Sequence, residues 1–278
     1  MYKLIIFDID GTITKHVSSW QMIHEKLNMW GEIACKYQQR FIAGKISYKR
    51  FCQLDAQCWK GMREEEISVL FQPVPYVKNA KTCLRKLKDK GFKLIAVSTG
   101  LQYIADTIKN ELGFDFVLSN RLASRNGILT GSVKINISHG AKGKILKDIL
   151  KRFKVKPHEV IGVGDSAGDI PLAKGVGYSI AFNSSSKALS GIADYNCKTN
   201  NFKDSQNLSR GPDANFQMLR DDAPDKELAA ALTVSLSGAL ELAEESKQTD
   251  DLIVTVILIV LLLIFLLGKE VAARINLC

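Results

Sequence analysis

Near its amino terminus the chain reads Leu4-Ile5-Ile6-Phe7-Asp8-Ile9-Asp10-Gly11-Thr12. The apolar start of this stretch is typical of a strand that is buried on both faces. Asp8 and Asp10 are two residues apart, so in an extended chain their side chains point to the same face, and Gly11 allows a sharp turn after them. Open α/β sheets bind ligands at the carboxyl ends of their strands. Two carboxylates held together repel each other unless a cation lies between them or one is protonated. The stretch therefore predicts a site for a hard metal with acid or nucleophile chemistry; the alternative is an ordinary strand that ends in an Asp-Gly turn.

The composition is that of a globular protein with one large or two modest domains, with 278 residues and a formal net charge of +9. The basic residues are spread along the chain and form no nucleic-acid-binding fingerprint, so we expect no nucleic-acid partner. A basic surface suits phosphorylated small molecules or anionic lipid equally well. The six cysteines are scattered without a Cys-x-x-Cys pair, which argues against zinc binding and favours a reducing, cytoplasmic setting.

The order of hydrophobic patterns along the chain predicts an α/β fold. Short apolar strand patterns at 92–97, 116–118, 160–164 and 178–182 alternate with helical patterns, which indicates a mainly parallel sheet covered on both faces. Residues 128–137, with Thr130-Gly131 inside, suggest a hairpin or a small two-strand feature. The helical block between the first two strands is too long for a plain crossover. We therefore predict a catalytic core over residues 1–14 and 73–200, with an inserted helical cap over 15–72.

The carboxyl-terminal part of the chain has a different composition. We predict a polar linker over 201–225, an amphipathic helix over 226–250, a transmembrane helix over 251–268 and a short tail over 269–278. The apolar run 252–267 corresponds to about 24 Å of helix, somewhat shorter than the hydrocarbon core of a bilayer. A buried helix of a soluble domain is the alternative, but the run has no polar face. We expect a cytoplasmic catalytic domain that is anchored to a membrane by its carboxyl terminus; the oligomeric state stays open.

Three later motifs carry groups suited to phosphate and metal binding. A strand pattern ends in Ser98-Thr99-Gly100, where hydroxyl groups and backbone N–H groups suit phosphoryl oxygens. Gly140-Ala141-Lys142-Gly143-Lys144 opens a predicted helix and places a lysine that can neutralise phosphate charge. Gly164-Asp165-Ser166-Ala167-Gly168-Asp169 follows another buried strand with two acids four residues apart. The first of these motifs is a weak signal because Ser-Thr-Gly turns are common, and the usual alternative for the second is a solvated lysine, whereas the third motif is more specific.

Taken together, the four motifs resemble the haloacid dehalogenase superfamily of phosphotransferases, and most closely its phosphoserine-phosphatase-like branch. The resemblance extends to Ser119-Asn120-Arg121-Leu122, to Leu129-Thr130-Gly131 and to the Ala-Lys-Gly-x-Ile-Leu context of Lys142. It covers about residues 1–200 and includes the position of the cap. It implies a Rossmann-like core and a Mg²⁺-dependent phosphomonoester hydrolase acting on a small phosphorylated metabolite.

The resemblance also assigns the catalytic and metal-binding residues. Asp8 is expected to be the nucleophile that forms an aspartyl-phosphate, and Asp10 the acid that protonates the leaving oxygen and then activates water. Mg²⁺ is expected to bind Asp8, Asp165 and the main-chain carbonyl of Asp10, with Asp169 supporting the site. Family members that only pass through the phosphoenzyme lack the second acid, so Asp10 predicts rapid hydrolysis of the intermediate.

The phosphate-binding residues expected from the motifs are Ser98, Thr99, Gly100 and Lys142. By the resemblance, Ser98 binds a phosphoryl oxygen and Lys142 stabilises charge on the phosphoryl group and on Asp8. Lys144 is a second candidate for the lysine role. Lys142 is preferred because the context around it matches the branch.

The cap departs from the pattern of phosphoserine phosphatases. These enzymes hold the ammonium group with a Glu shortly after the first motif and the carboxylate with an Arg in the cap. Residues 14–19 contain no acid, Asp55 aligns with the Arg, and Gly168 stands where the branch usually has Asn. His16 and the cap tryptophans are candidate specificity residues, but a surface histidine and aromatic residues of the cap core are the favoured interpretation. Because of the departures from the phosphoserine phosphatase pattern, we favour a phosphatase whose substrate is not phosphoserine. Two alternatives stay open: a phosphoserine phosphatase of serine biosynthesis, and a membrane-tethered binding or regulatory module with little turnover.

Overall fold

A computed structural model describes residues 2–16 and 18–198. Its strands form one seven-stranded sheet in the order β4-β3-β2-β1-β5-β6-β7, parallel throughout except for the antiparallel pair β3–β4. The strands are β1 (Leu4–Phe7), β2 (Lys93–Leu101), β3 (Phe116–Arg125), β4 (Ile128–Lys134), β5 (Val160–Gly164), β6 (Tyr178–Phe182) and β7 (Tyr195–Cys197). The prediction of an α/β fold with a mainly parallel sheet is confirmed.

The central strand β1 is buried on both faces, as its apolar sequence indicates. Successive side chains of a strand point to opposite faces. Ile5 and Phe7 accordingly belong to the larger hydrophobic core, while Leu4 and Ile6 belong to a smaller core on the other face. All four side chains are fully buried, so β1 is held rigidly between two layers.

The helices described lie in two groups. Between β1 and β2 lie α1 (Ser19–Lys26), a π-helical turn (Trp30–Ala34), α2 (Cys35–Ile42), α3 (Tyr48–Cys58) and α4 (Glu64–Val69). The second group consists of α5 (Ala80–Asp89), which comes after the first group and directly before β2, and of the helices after β2: α6 (Gln102–Leu112), α7 (Lys142–Phe153), α8 (Ile170–Ala173) and α9 (Lys187–Ser190). The first group falls within the predicted cap range 15–72.

The strand order places a ligand site at the end of β1. The chain passes from β1 outward to β2 and β3, then returns to add β5 on the opposite side of β1. In open α/β sheets such a reversal opens a crevice at the carboxyl ends of the neighbouring strands. The first motif follows β1, the second lies at the end of β2, and the fourth begins at the end of β5. The topology therefore brings these three motifs to one crevice.

The hairpin begins earlier in the chain than the predicted range 128–137, because it is formed by β3 and β4. The turn joins β3 to β4 at Asn126-Gly127, where both residues have positive φ angles, and Thr130-Gly131 lies inside β4. An Asn-Gly pair is the preferred sequence for a two-residue hairpin turn because both residues tolerate this backbone conformation. Both β2 and β3 also extend beyond the predicted ranges 92–97 and 116–118.

The β3–β4 hairpin supports the cap. Gln57 in α3 donates a hydrogen bond to the carbonyl oxygen of Gly131 at 2.8 Å. The loop that follows α3 pairs with β4 through Gly61 N–H to Leu129 O and Leu129 N–H to Met62 O, both at 2.9 Å. The cap is therefore attached to the core away from its two connecting segments.

The predicted linker, amphipathic helix, transmembrane helix and tail, residues 201–278, lie outside the described residues. Over residues 2–16 and 18–198, no helix is both long enough and apolar enough to cross a bilayer.

Asp115 lies just before β3 and connects the sheet to two nearby lysines. We expect its replacement to destabilise the fold. Its carboxylate accepts hydrogen bonds from Leu94 N–H at 3.0 Å, from Lys93 at 3.1 Å and from Lys88 at 3.2 Å. Burial acts to raise the pKa of Asp115, but these donors outweigh it and hold the pKa below its usual value. A depressed pKa means that the stabilisation is present above the unfolded-state pKa and is lost as the pH falls through the folded-state pKa.

We expect Asp115→Asn to lower the free energy of unfolding by about 1 kcal/mol at neutral pH. The difference from wild type should shrink as the pH falls below about 4. The control is Asp106→Asn, because Asp106 pairs with Arg121 on the surface with both side chains nearly half exposed; such pairs contribute little. Urea unfolding at several pH values measures both variants, and a pH-independent loss for Asp115→Asn would contradict the account.

Candidate active site

The described motif residues meet at the crevice beyond β1. Asp8 and Asp10 follow β1, Ser98 lies in the last part of β2, Asp165 follows β5, and Lys142 is the first residue of α7. Asp8, Lys142 and Asp169 are buried, while Asp165 is partly exposed. The structure therefore brings residues that are far apart in sequence into one small polar site.

Lys142 is the centre of the charge arrangement. Its Nζ atom lies 2.8 Å from Asp8 Oδ2 and also donates a hydrogen bond to Asp169 Oδ1. Burial alone would lower the pKa of Lys142, but the attraction of Asp8 and Asp169 outweighs it and raises the pKa. Lys142 is therefore a permanent cation beside the predicted nucleophile. The alternative lysine, Lys144, is exposed to solvent.

Asp8 is oriented by both of its neighbours. Its Oδ1 atom accepts a hydrogen bond from Ile9 N–H at 2.7 Å, while Oδ2 faces Lys142. Burial raises the pKa of Asp8 well above its usual value, and the nearby carboxylates Asp169 and Asp165 act in the same direction against Lys142. Because Asp8 is desolvated and close to two other carboxylates, its ionised form depends on stabilisation by nearby cations such as Lys142.

Three carboxylates form a candidate metal centre. One oxygen each of Asp8, Asp165 and Asp169 lies within 4.8 Å of the others. Burial, followed by repulsion from Asp169, raises the pKa of Asp165 to about 7. Hard oxygen donors grouped in this way fit Mg²⁺. Gly11 has a φ of +80°, and a Cβ atom on it would overlap the carboxylate of Asp165, so glycine is required where the first motif turns beside this acid.

Asp169 and Thr12 make hydrogen bonds that hold the candidate metal centre in place. Asp169 Oδ2 accepts hydrogen bonds from the N–H groups of Asp165 and Ser166 at 3.2 and 3.0 Å, and from Ser166 Oγ at 3.0 Å. With Lys142 on its other oxygen, Asp169 holds the loop after β5 in place. The Thr12 hydroxyl donates to Asp165 Oδ1 at 3.1 Å, which fixes the orientation of the predicted metal ligand.

Asp10 faces the cap, and its side chain is outside the group of three carboxylates. Its Oδ2 atom accepts hydrogen bonds from the N–H and the hydroxyl of Ser19, both at 2.8 Å. Burial raises the pKa of Asp10, and the two donors of Ser19 act to lower it. A Cβ atom on Gly100 would overlap Ser19 Oγ and Asp10 Oδ2. The absence of a side chain at this position lets the end of β2 approach the first motif.

The end of β2 is fixed by the cap and by β3. Gly100 N–H donates to Ser98 Oγ at 2.9 Å. The carbonyl oxygen of Thr99 accepts hydrogen bonds from Trp20 Nε1 at 3.0 Å, from Tyr48 Oη at 2.8 Å and from Asn120 Nδ2 at 2.9 Å. The carbonyl group of Thr99 therefore connects the cap to the core. The position of Thr99 next to the phosphate stays a prediction.

Asp55 is engaged inside the cap. His24 Nε2 lies 3.2 Å from Asp55 Oδ1, and both residues are almost completely buried. Burial raises the pKa of Asp55, and His24 acts to lower it. The His24 ring packs on Trp59 with centroids 4.6 Å apart, and Trp59 in turn stacks on Trp20. The cap tryptophans thus take part in an aromatic core.

Two further cap-facing positions lie near the site. The His16 carbonyl accepts a hydrogen bond from Gly11 N–H at 2.6 Å, so His16 helps to shape the turn of the first motif. His139, exposed at the start of the third motif, packs edge-on against Phe41 of the cap with centroids 5.7 Å apart. A Cβ atom on Gly168 would lie 3.5 Å from the His139 ring, so His139 borders the position where the branch usually has Asn.

Sequence analysis missed four residues that organise the site: Thr12, Ser19, Tyr48 and Asn120. Ser18 and Ser19 precede a helical pattern, which is a signal for a helix start, and Ser18 indeed accepts the N–H of Gln21 as the N-cap of α1. That signal cannot reveal the contact between Ser19 and Asp10. Asn120 and Thr12 stand in the quoted motif contexts, but their hydrogen-bond partners follow only from the fold.

Comparisons with known proteins agree with this geometry. Residues 2–177 match the family model described as haloacid dehalogenase-like hydrolase. The phosphoserine phosphatase of Archaeoglobus fulgidus is 31% identical over 193 residues, which cover 69% of this chain and 55% of the relative. That of Idiomarina loihiensis is 30% identical over 199 residues, which cover 71% of this chain and 89% of the relative.

A solved structure of a phospho-aspartyl intermediate analogue of phosphoserine phosphatase is also similar. It superposes with a TM-score of 0.65 at 27% sequence identity and covers 75% of this chain and 98% of its own. The chain spans only 55% of the length of the Archaeoglobus relative.

Proposed function

This chain is a haloacid dehalogenase-like hydrolase of the phosphoserine-phosphatase-like branch, and we propose that it is a Mg²⁺-dependent phosphatase that hydrolyses a small phosphorylated metabolite through an aspartyl-phosphate. The observation that carries the proposal is the buried contact of 2.8 Å between Lys142 and Asp8, next to Asp165 and Asp169. Asp10 lies two residues from the nucleophile and supplies the second carboxyl group that hydrolysis requires.

In the first step, Asp8 attacks phosphorus. A bond forms between a carboxylate oxygen of Asp8 and phosphorus while the bond from phosphorus to the leaving oxygen breaks. Asp10 gives its proton to that oxygen, so the alcohol leaves neutral. Lys142 and the Ser98 hydroxyl stabilise negative charge on the phosphoryl oxygens, which is the main contribution of an enzyme to phosphoryl transfer.

In the second step, Asp10 accepts a proton from water. The resulting hydroxide forms a bond to phosphorus, and the bond to the Asp8 oxygen breaks, which releases phosphate and regenerates the Asp8 carboxylate. Asp10 carries a proton again and can begin the next cycle. Lys142 stays charged through both steps because its pKa is raised by Asp8 and Asp169.

The metal would be held by carboxylates that the structure groups together. Asp8 and Asp165 are the side-chain donors, and the main-chain carbonyl of Asp10 is the donor that the family resemblance adds. Asp169 orients the loop and Lys142. When bound, Mg²⁺ neutralises charge shared by the phosphoryl group and Asp8.

The cap supports a substrate other than phosphoserine. Asp55, which aligns with the carboxylate-binding Arg of phosphoserine phosphatases, is an acid and is buried against His24. An acid cannot attract a substrate carboxylate, and residues 14–19 supply no acid for an ammonium group. Phosphoserine itself is the second candidate substrate, favoured by the names of the relatives.

A substrate comparison with the full-length chain tests both candidates. We expect Mg²⁺-dependent release of phosphate from p-nitrophenyl phosphate and from small alkyl phosphates, and complete loss with excess EDTA. Phosphoserine should not exceed the other small phosphomonoesters in kcat/KM. A kcat/KM at least about tenfold higher for phosphoserine, a difference of ~1.4 kcal/mol, would establish the second candidate. Lack of release from every phosphomonoester would instead favour the regulatory module.

We also propose that the chain is anchored to a membrane through residues 251–268, with its catalytic domain in the cytoplasm. The support is the apolar run 252–267, bounded by Asp250-Asp251 and by Lys269, and the scattered cysteines. In carbonate extraction of cell membranes, we expect the full chain in the pellet and a chain ending at residue 250 in the supernatant. Recovery of the full chain in the supernatant would contradict the anchor.

A further inference from the structure

Ser19 makes an unusual set of contacts at the junction of cap and core. Its N–H and its hydroxyl both donate to Asp10 Oδ2 at 2.8 Å, and its hydroxyl oxygen accepts a hydrogen bond from Leu101 N–H at 2.9 Å. Ser19 is fully buried. A buried hydroxyl that contacts the acid of the first motif and the residue after the second motif has a role beyond starting a helix.

The contact with Leu101 fixes the direction of the hydroxyl. A serine hydroxyl has one proton and rotates to suit its surroundings. Because the Leu101 N–H occupies the acceptor side, the proton of Ser19 points to Asp10. Both Ser19 donors engage Oδ2, and within residues 2–16 and 18–198 no hydrogen bond reaches Oδ1 of Asp10, so Oδ1 is the oxygen available to the leaving group and to water.

Ser19 is also the first residue of the first cap helix. The N-terminal N–H groups of a helix stabilise a carboxylate beside them, and Asp10 receives one of them directly. The next residue, Trp20, donates to the Thr99 carbonyl at 3.0 Å. The start of α1 thus holds the acid of the first motif and the end of β2 at the same time.

We propose that Ser19 is a positioning residue that orients the carboxyl group of Asp10 for proton transfer. The proposal rests on the proposed function, since it assigns Asp10 as the general acid and base. Ser19 itself transfers no proton. As Asp10 gives its proton to the leaving oxygen and becomes a carboxylate, the two hydrogen bonds to Oδ2 become charge-assisted and stronger, so they favour the transition state over the ground state.

The test compares leaving groups. p-Nitrophenolate leaves without protonation, whereas an alkoxide needs a proton from the general acid. For Ser19→Ala we expect kcat/KM for a small alkyl phosphate to fall about 10- to 100-fold, while kcat/KM for p-nitrophenyl phosphate changes less than about threefold. Because activation of water also needs Asp10, a burst of p-nitrophenolate should precede a slower steady state.

Ser18→Ala is the matched control. Ser18 caps the same helix by accepting Gln21 N–H, and among the described residues its hydroxyl makes no hydrogen bond to Asp10. Its loss should lower stability by about 1 kcal/mol and leave the ratio of the two kcat/KM values as in wild type. Ser19→Cys replaces the hydroxyl by a slightly larger thiol that is only a weak donor, so the same selective loss is expected if Ser19→Ala does not fold.

Two results would overturn the positioning role. One is an equal loss of kcat/KM on both substrates in the folded Ser19 variants. The other is a change in the ratio of the two kcat/KM values in Ser18→Ala as well. Wild-type protein that hydrolyses neither substrate would instead overturn the proposed function, so the two failures are distinguishable.

Discussion

Replacement of Asp8 by asparagine is expected to lower kcat/KM for every phosphomonoester by about 10⁴-fold or more. The amide keeps nearly the same shape, but it cannot attack phosphorus and it removes the negative charge that faces Lys142 at 2.8 Å. Release of phosphate from p-nitrophenyl phosphate with Mg²⁺ measures the effect. The loss should be independent of the leaving group, unlike the loss expected for Ser19→Ala.

Asp148→Asn is the matched control for Asp8→Asn. Asp148 is an exposed acid on α7, so its replacement makes the same change of charge away from the site and should leave activity within about twofold of wild type. Residual turnover of Asp8→Asn above a few per cent would contradict the assignment of the nucleophile.

Replacement of Lys142 by methionine is expected to lower kcat/KM about 100- to 1,000-fold. The change removes the cation that stabilises the phosphoryl oxygens and the departing Asp8 carboxylate, while the methionine fills most of the space. It also leaves Asp8 and Asp169 buried without their cation, which should cost about 3–5 kcal/mol of stability in the absence of metal.

The loss of stability in Lys142→Met should depend on pH. Burial already raises the pKa of Asp8 well above its usual value, and Lys142 opposes that rise. Without Lys142, the protonated form of Asp8 is favoured further in the folded state. A raised folded-state pKa gives stability that is present below the unfolded-state pKa, about 4, and is lost as the pH rises through the folded-state pKa. Unfolding of the variant in EDTA should therefore show stability that falls as the pH rises above about 4.

Lys144→Met is the control that separates the two lysines of the third motif. Lys144 is exposed to solvent, so we expect activity within about twofold of wild type and no added pH dependence. If Lys144→Met were inactive and Lys142→Met active, Lys144 and not Lys142 would be the lysine that stabilises the phosphoryl oxygens.

Much of the core could be predicted because local sequence and tertiary environment agree there. The run Leu4 to Phe7 is apolar and its strand is buried on both faces, and α7 begins at Lys142, within the segment where its motif predicts a helix start. The predicted place of the hairpin, within 128–137, was wrong because Asn126-Gly127 and Thr130-Gly131 both have turn-forming sequences, and only the pairing of β3 with β4 decides between them.

The contacts of the cap could not be predicted, since they depend on how helices meet in space. The sequence shows that Asp55 is an acid where the branch has Arg, but not that His24 lies 3.2 Å away. Likewise, a serine before a helix indicates a cap, whereas the hydrogen bond from Ser19 to Asp10 requires the cap to be seated on β2. Pairs of polar residues in separate elements leave no periodic signal in the sequence.

The central claim is that catalysis passes through a phosphorylated Asp8. The most direct measurement mixes the full-length enzyme with a phosphomonoester labelled in its phosphoryl group, quenches with acid within milliseconds and maps the labelled peptide. We predict an acid-stable, base-labile label on the peptide that contains Asp8, transient in wild type, longer-lived in Asp10→Asn with an aryl phosphate, and lacking in Asp8→Asn. Phosphate release without label on that peptide in either wild type or Asp10→Asn would contradict the mechanism.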